Sequence, residues 1–134
     1  MNKRKLGLDV GSKYLGVAIS DPLGQTTSNL TTIIRGKFSD EVSHIKKIVR
    51  EYKIGEIVVG MPFNMDGTKG PQAQEVDEYL AALKKEFSIA INSWDERLTT
   101  VSAKSFLRGK HDLLTHQVAA AIMLQNYLDR QRHR

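Results

Sequence analysis

The chain has 134 residues, 40% of them hydrophobic and 26% charged, which is the composition of an ordinary globular domain. It contains no cysteine, so disulfide bonds and thiolate metal sites are excluded. A net charge of +5 favours a polyanionic partner. Because no apolar run could span a membrane and no signal-peptide core follows the N-terminus, we expect one cytoplasmic domain over residues 1–134.

The first predicted strand, residues 5–10, carries a carboxylate, Asp9, in an otherwise apolar run. Such a charge is costly unless it is paired, hydrogen-bonded or bound to a metal. Period-2 alternation places the large aliphatic side chains on one face and Gly7, Asp9 and Gly11 on the other. This second face is nearly bare backbone around a carboxylate, which suits close approach by a ligand or another element.

The hydrophobic period distinguishes the elements that follow. Period-2 runs and short apolar runs predict strands, and spacings of three and four residues predict helices. In chain order they are strands at 14–20 and 29–35, a helix through 42–52 capped by Ser39 or Asp40, a strand at 57–59, a helix opening at Pro71, a strand at 89–94, a short helix from Thr99 or Thr100 to Gly109, and a last helix at about 115–130.

This order predicts an α/β fold built on a five-stranded mixed sheet. The first three strands form an antiparallel meander, and right-handed crossovers make the fourth and fifth strands parallel to the first. The C-terminal ends of strands one, four and five then share one edge of the sheet. Open α/β sheets bind their ligands at that edge.

Acidic and amide side chains are predicted to meet at this edge. Asp9 is near the end of the first strand, Asp95 and Glu96 follow the fifth, and the loop after the fourth carries Asn64. Carboxylates of this kind suit a hard cation such as Mg²⁺ or Mn²⁺. Each segment also has a simpler interpretation, because Asn64 suits a plain turn and Asp95 could form an ion pair with Arg97.

The last helix offers a further ligand. His116, Ala120, Met123 and Tyr127 share one helical face, and we expect that face to pack on the sheet. Near the helix N-terminus the dipole disfavours imidazolium, which keeps the ring neutral and able to bind a metal. His116 could equally be a packing histidine, and Asp112, one turn earlier, is the competing third ligand.

Four segments resemble the YqgF family, described as pre-16S ribosomal RNA nucleases and Holliday-junction-resolvase-like proteins. They are LGLDVGSKYLGVAIS, VVGMPFNMDGT, WDERLTT and VAAAIMLQNYLD, and they occur in the family's order from end to end of the chain. The resemblance implies a ribonuclease H-like fold with sheet order 3-2-1-4-5 and helices on both faces. It also implies nuclease activity dependent on a divalent metal, Mg²⁺ or Mn²⁺.

The resemblance further implies the roles of particular residues. Asp9 matches the first catalytic carboxylate and Glu96 the second, whereas His116 stands where the family usually carries a third acid. Related nucleases of this fold can use histidine as the last ligand, and a nitrogen donor shifts metal preference from Mg²⁺ towards Mn²⁺. Supporting positions are Gly11, Asn64, Asp95 and Thr100, and the expected phosphate contacts are Lys13, Arg97, Lys104 and Arg108.

The predicted function is metal-dependent endonuclease activity on structured nucleic acid, with RNA preferred over DNA. The resemblance points to 5′-end maturation of pre-16S ribosomal RNA, with ribosomal precursor particles as partners and a monomer or weak homodimer as the assembly. Holliday junction cleavage and a non-catalytic nucleic-acid-binding module are the alternatives. A sugar kinase or actin-like ATPase would need two such domains, and the chain supplies one.

Overall fold

A computed structural model describes residues 3–99 and 113–132. The five strands within these ranges are β1 (Arg4–Val10), β2 (Tyr14–Ser20), β3 (Thr27–Ile34), β4 (Ile54–Met61) and β5 (Ala90–Asp95). The helices in the same ranges are α1 (Phe38–Tyr52), α2 (Pro71–Lys84) and α3 (Leu113–Arg132), and a 3₁₀ turn spans Glu96–Leu98. None of the helices in these ranges combines the length and apolarity needed to cross a membrane.

The strands form one sheet in the order β3-β2-β1-β4-β5. Strand β2 is antiparallel to both β1 and β3, whereas β4 is parallel to both β1 and β5. The predicted sheet order and strand directions are therefore confirmed. The apolar run predicted as a two-sided buried strand forms the centre of β4, where Ile57, Val58 and Val59 are fully buried.

The two faces of β1 pack against different layers, as its alternation predicts. Leu6 and Leu8 are fully buried in a core cluster with Ile45 of α1 and Leu80 of α2. On the opposite face a Cβ added at Gly7 would lie 3.0 Å from the Cβ of Leu124 in α3. Helix α3 thus lies almost directly on the backbone of the sheet, and helices cover both faces.

Two helices differ from their predicted boundaries. The N-cap of α1 is Lys37 rather than Ser39 or Asp40, and no side chain caps it. The carboxylate of Glu41, in the first turn, instead accepts the backbone N–H of Gly36 at 3.0 Å. A side chain of the helix thus binds the backbone just before the N-cap. Helix α3 extends about half a turn beyond its prediction at each end, and the short helix predicted up to Gly109 falls outside the described ranges.

Candidate functional site

The centre of the candidate site is a contact between the first strand and the last helix. His116 lies in the first turn of α3, and its Nδ1 is 2.9 Å from Oδ2 of Asp9 near the end of β1. The two side chains are 17% and 22% exposed, so the pair is shielded but open to solvent. His116 therefore faces the sheet, as its helical spacing predicts.

Glycines in β2 and in the β1–β2 turn permit this approach. A Cβ at Gly16 would lie 2.0 Å from the carbonyl oxygen of His116, so no larger residue fits without moving α3. A Cβ at Gly11 would lie 2.7 Å from Cε1 of the imidazole. The Tyr14 ring, whose centroid is 5.7 Å from that of His116, closes another side. The imidazole is thus confined between the β1–β2 turn and Asp9.

Glu96 begins the 3₁₀ turn after β5, and its carboxylate reaches the neighbouring strand β4. Leu8 of β1 pairs with Val59 of β4, so the next residues along these parallel strands, Asp9 and Gly60, are neighbours. The Glu96 carboxylate lies over Gly60, with Oε1 only 2.6 Å from where a Cβ at that glycine would be. Asp9 and Glu96 therefore flank the same glycine at the C-terminal edge of the sheet.

All three predicted ligands lie on the sheet face that α3 covers. Val58, two residues before Gly60, packs in one cluster with Leu124 of that helix. Two carboxylates and an imidazole match the donor chemistry of Mg²⁺ and especially Mn²⁺. In residues 3–99 and 113–132, however, no three His, Asp or Glu side chains lie close enough together to hold a metal ion. Asp9 and His116 are in direct contact, and the Glu96 carboxylate lies over the neighbouring Gly60.

The hydrogen bond between Asp9 and His116 affects what the imidazole can do chemically. A carboxylate that accepts from Nδ1 fixes the ring orientation and raises the basicity of the other ring nitrogen, Nε2. An imidazole held in this way can either accept a proton or bind a cation. The arrangement therefore suits reactions in which charge develops at an oxygen beside the sheet edge.

Asp95 and Arg97 form an ion pair beyond β5. The guanidinium Nη2 lies 2.7 Å from Oδ2 of Asp95, and the same carboxylate accepts the Arg97 backbone N–H at 2.9 Å. This hydrogen bonding raises the pKa of Arg97. The guanidinium lies 5.4 Å from the centroid of the Phe63 ring and donates to the Met65 carbonyl. The pair therefore ties the end of β5 to the loop after β4, which favours the ion-pair interpretation of Arg97.

The loop after β4 has the contacts of an ordered turn. The Asn64 backbone N–H donates to the Thr68 carbonyl at 2.9 Å, and its side-chain amide donates to the Thr68 hydroxyl at 3.0 Å. The hydroxyl and backbone N–H of Thr68 both donate to Asp66, which lowers the pKa of that carboxyl. Gly67 has φ of 89°, which favours glycine. The contacts described for Asn64 are thus those of the simpler turn interpretation.

A cleft of about 510 Å³ opens beside His116. The β1–β2 turn and Arg35 form one side of the cleft, and α2 forms the other. Lys13 is exposed at this cleft. Four other predicted site residues fall in the part of the chain that the structure leaves undescribed: Thr100, Lys104, Arg108 and Asp112.

Sequence reasoning missed a polar cluster behind the β1–β2 turn. Glu41 is only 3% exposed and accepts from the Tyr79 hydroxyl and from Arg35. A signal for its burial existed, because Glu41 lies four and seven residues before Ile45 and Ile48, on the buried stripe of α1.

The comparisons with known proteins are consistent along the whole chain. Residues 3–130 match the family model described as RuvX, Holliday junction resolvase. A relative from Thermoanaerobacter pseudethanolicus is 47% identical over 138 residues, covering 98% of this chain and 99% of the relative. One from Clostridium tetani is 46% identical over 132 residues, covering 94% and 96%. Both relatives bear the provisional name pre-16S rRNA nuclease.

Solved structures that superpose on this chain include one in complex with a Holliday junction substrate and one named as a Holliday junction resolvase. T. thermophilus RuvC in complex with a Holliday junction substrate superposes with a TM-score of 0.66 at 12% identity, covering 98% of this chain and 96% of that one. The fowlpox virus Holliday junction resolvase gives 0.55 at 9% identity, covering 95% and 99%. At these identities the likeness shows the fold alone, which is ribonuclease H-like.

Proposed function

This chain belongs to the RuvX family, the YqgF family of the sequence resemblance, and we propose that it is a metal-dependent endonuclease of pre-16S ribosomal RNA. Its relatives' names support a nuclease, and we assign the cleavage to 5′-end maturation of that RNA in the cytoplasm. The observation that carries the proposal is the 2.9 Å contact between Asp9 and His116 at the sheet edge. Glu96 stands across Gly60 from this pair.

The proposed ligands of the ion are Asp9, Glu96 and His116, with Asp112 as the alternative third. When bound, Mg²⁺ or Mn²⁺ supplies Lewis acidity towards a phosphate oxygen and lowers the pKa of water. Without a bound ion, the carboxylate of Asp9 orients the imidazole of His116 through Nδ1. The cleft beside His116 leaves room for a phosphodiester next to the imidazole.

Basic residues around the site hold the substrate backbone in this proposal. Lys13 contacts a phosphate from the rim of the cleft, and Lys104 and Arg108 contribute from the segment before α3. Arg97 contacts a phosphate from a position that its ion pair with Asp95 fixes. Thr100, two residues after the 3₁₀ turn, is the proposed supporting residue. The net charge of +5 favours binding to structured RNA and ribosomal precursor particles by a monomer or weak homodimer.

Holliday junction cleavage is the second candidate function, because the similar T. thermophilus RuvC structure holds that substrate. A resolvase cuts two symmetric strands and therefore requires two symmetric active sites. A non-catalytic nucleic-acid-binding module is the third, because a histidine occupies the family's usual acid position. The three candidates differ in what they cleave, so one set of cleavage assays separates them.

The test compares the wild type with Asp9→Asn on a 5′-extended pre-16S RNA fragment in Mg²⁺ and in Mn²⁺. We expect the substitution to lower the cleavage rate more than roughly a hundredfold, because even outer-shell metal partners cost 10–100-fold. Asp129→Asn is the matched control, since that carboxylate is 46% exposed and paired with Arg132 near the far end of α3. It should cleave as the wild type does.

Equal cleavage by the wild type and Asp9→Asn would contradict the catalytic role of Asp9. Tight RNA binding without cleavage in either metal would identify the binding module. Cleavage of a four-way DNA junction but not of the RNA would identify the resolvase. Circular dichroism of each variant checks that the fold is intact.

A further inference from the structure

We infer that Arg35, held by the buried carboxylate of Glu41, is a positioning residue that fixes the β1–β2 turn against His116. The inference rests on the proposed function in one respect, because it assigns this turn to the catalytic site. It concerns three residues outside the predicted ligand set: Arg35, Glu41 and Tyr79.

Arg35 connects the end of β3 to the β1–β2 turn through both its side chain and its backbone. Its Nη1 donates to the carbonyl of Gly11 at 2.8 Å, and its backbone N–H donates to the carbonyl of Lys13 at 2.9 Å. The turn is therefore held at two carbonyls by one residue. A hydrogen bond from guanidinium to a carbonyl is charge-assisted and stronger than one between neutral groups.

Glu41 fixes the guanidinium from behind. It is 3% exposed, and its Oε2 lies 3.4 Å from Nε of Arg35 and accepts the Gly36 N–H at 3.0 Å. Its Oε1 accepts the Tyr79 hydroxyl at 2.8 Å. Burial, and then the bond to Glu41, raise the pKa of Tyr79, so the phenol keeps its proton and remains a donor. The guanidinium also lies 4.8 Å from the centroid of the Tyr79 ring.

The turn that Arg35 holds is in direct contact with the imidazole. Gly11 is two residues after Asp9, and a Cβ at Gly11 would be 2.7 Å from Cε1 of His116. A displacement of the turn therefore changes the space available to the ring. Because hydrogen bonds weaken steeply with distance and angle, a shift of about 1 Å would loosen the Asp9–His116 contact.

The chain contains a matched control for this cluster. Glu56, near the opposite end of the sheet, is also a shielded carboxylate that accepts from a cation, Lys5, and from a phenol, Tyr127. Asn92 supplies a third donor to it. Substitutions here remove the same kinds of contact at a distance from the β1–β2 turn. A purely structural effect should be common to both clusters, whereas a positioning effect should be confined to the Arg35 cluster.

The experiment compares Arg35→Gln, Glu41→Gln and Tyr79→Phe with Glu56→Gln and Tyr127→Phe. The first readout is hydrogen exchange at the Gly11 amide, which donates to the Tyr14 carbonyl at 2.9 Å and exchanges by local opening of the turn. We expect roughly tenfold faster exchange or more in Arg35→Gln, and wild-type exchange in both control variants. The second readout is the ¹⁵N shift of the His116 ring nitrogens at fixed pH, which should move only in the Arg35 cluster.

The third readout is cleavage of the pre-16S RNA fragment. We expect Arg35→Gln to lower kcat about 10–100-fold with KM nearly unchanged, because a displaced turn disturbs the site without removing a substrate contact. The double variant Arg35→Gln with Glu41→Gln should lose no more than Arg35→Gln alone, because Glu41 acts through Arg35.

Three results would overturn the inference. Unchanged Gly11 exchange and His116 shifts in Arg35→Gln would show that the turn does not depend on Arg35. A higher KM with unchanged kcat would make Arg35 a phosphate contact instead. Equal effects of the substitutions in the Glu56 cluster would show that Arg35 contributes only to the general stability of the fold. If the wild type cleaves no RNA, the proposed function fails, but the two spectroscopic readouts still decide whether Arg35 positions the turn.

Discussion

At the scale of single residues, the side chain at position 116 decides the negative charge of the proposed site and therefore its preference between Mg²⁺ and Mn²⁺. The family resemblance predicts an acid at this position, and here an imidazole nitrogen lies 2.9 Å from Asp9. A neutral imidazole beside a carboxylate forms a favourable hydrogen bond, whereas two carboxylates at that distance repel unless a cation lies between them. The histidine therefore stabilises the pair in the absence of metal and lowers the negative charge available to Mg²⁺.

Replacing His116 with aspartate tests this view of the metal preference. We expect His116→Asp to raise the ratio of Mg²⁺-supported to Mn²⁺-supported cleavage by roughly tenfold, because oxygen ligands favour the harder ion. Cleavage rates in each metal provide the measurement. His44→Asp is the control, since that histidine is exposed on α1. A fall in Mg²⁺ activity with Mn²⁺ activity unchanged would show that the histidine does not substitute for the family acid.

At the scale of elements, the packing of α3 on glycine faces brings His116 to the sheet. Small residues in β1 and β2 allow the helix backbone to approach the strands closely, and Ala120 and Leu124 of the helix are fully buried there. The tightest point is Gly16, where a Cβ would lie 2.0 Å from a helix carbonyl oxygen. Backbone atoms cannot rotate away as a flexible side chain can, so any added atom must displace the helix.

A single methyl group at this contact should therefore be costly. We expect Gly16→Ala to reduce the free energy of unfolding by about 1–3 kcal/mol or more, the range seen when well-packed cores are overfilled. Urea denaturation measures the change. Gly36→Ala is the matched control, because a Cβ at Gly36 meets nothing within 4 Å. Equal stability of the two variants would contradict the close packing of α3 on β2.

At the scale of the whole molecule, one carboxylate joins three strands and the last helix. Glu56 of β4 accepts from Lys5 of β1, Asn92 of β5 and Tyr127 of α3. Burial acts to raise the pKa of Glu56, but the hydrogen bonds from Lys5, Tyr127 and Asn92 together outweigh it and lower the pKa. A carboxyl group with a lowered pKa in the folded state stabilises the fold only while it is ionised.

The sign of the pH dependence follows from that shift. The stabilisation by Glu56 is complete above the ordinary carboxyl pKa of 4.5 and is lost as the pH falls through its lower folded value. We expect Glu56→Gln to cost about 1–3 kcal/mol at pH 7 and to reduce the loss of stability below pH 4.5. Urea denaturation from pH 7 downwards measures this. Glu51→Gln, at a 55% exposed side chain, should leave the profile unchanged.

Much of the fold could be predicted because it follows from local periodicity. The alternation in β1 placed Asp9 on the small-residue face, and the spacing in the last helix turned His116 towards the sheet. The order of strands and helices, with right-handed crossovers, predicted which strand ends share an edge. These features depend on side chains a few residues apart, whose relative directions the backbone geometry determines.

The sheet, its C-terminal edge and the residues that face this edge could therefore be predicted from the sequence. Only the tertiary structure decided that His116 meets Asp9 across 107 positions of the chain, that Glu96 lies over Gly60, and that Arg35 holds the β1–β2 turn. The physical reason is that contacts between distant residues depend on how closely elements pack. That closeness depends on glycines and buried polar partners from several elements at once.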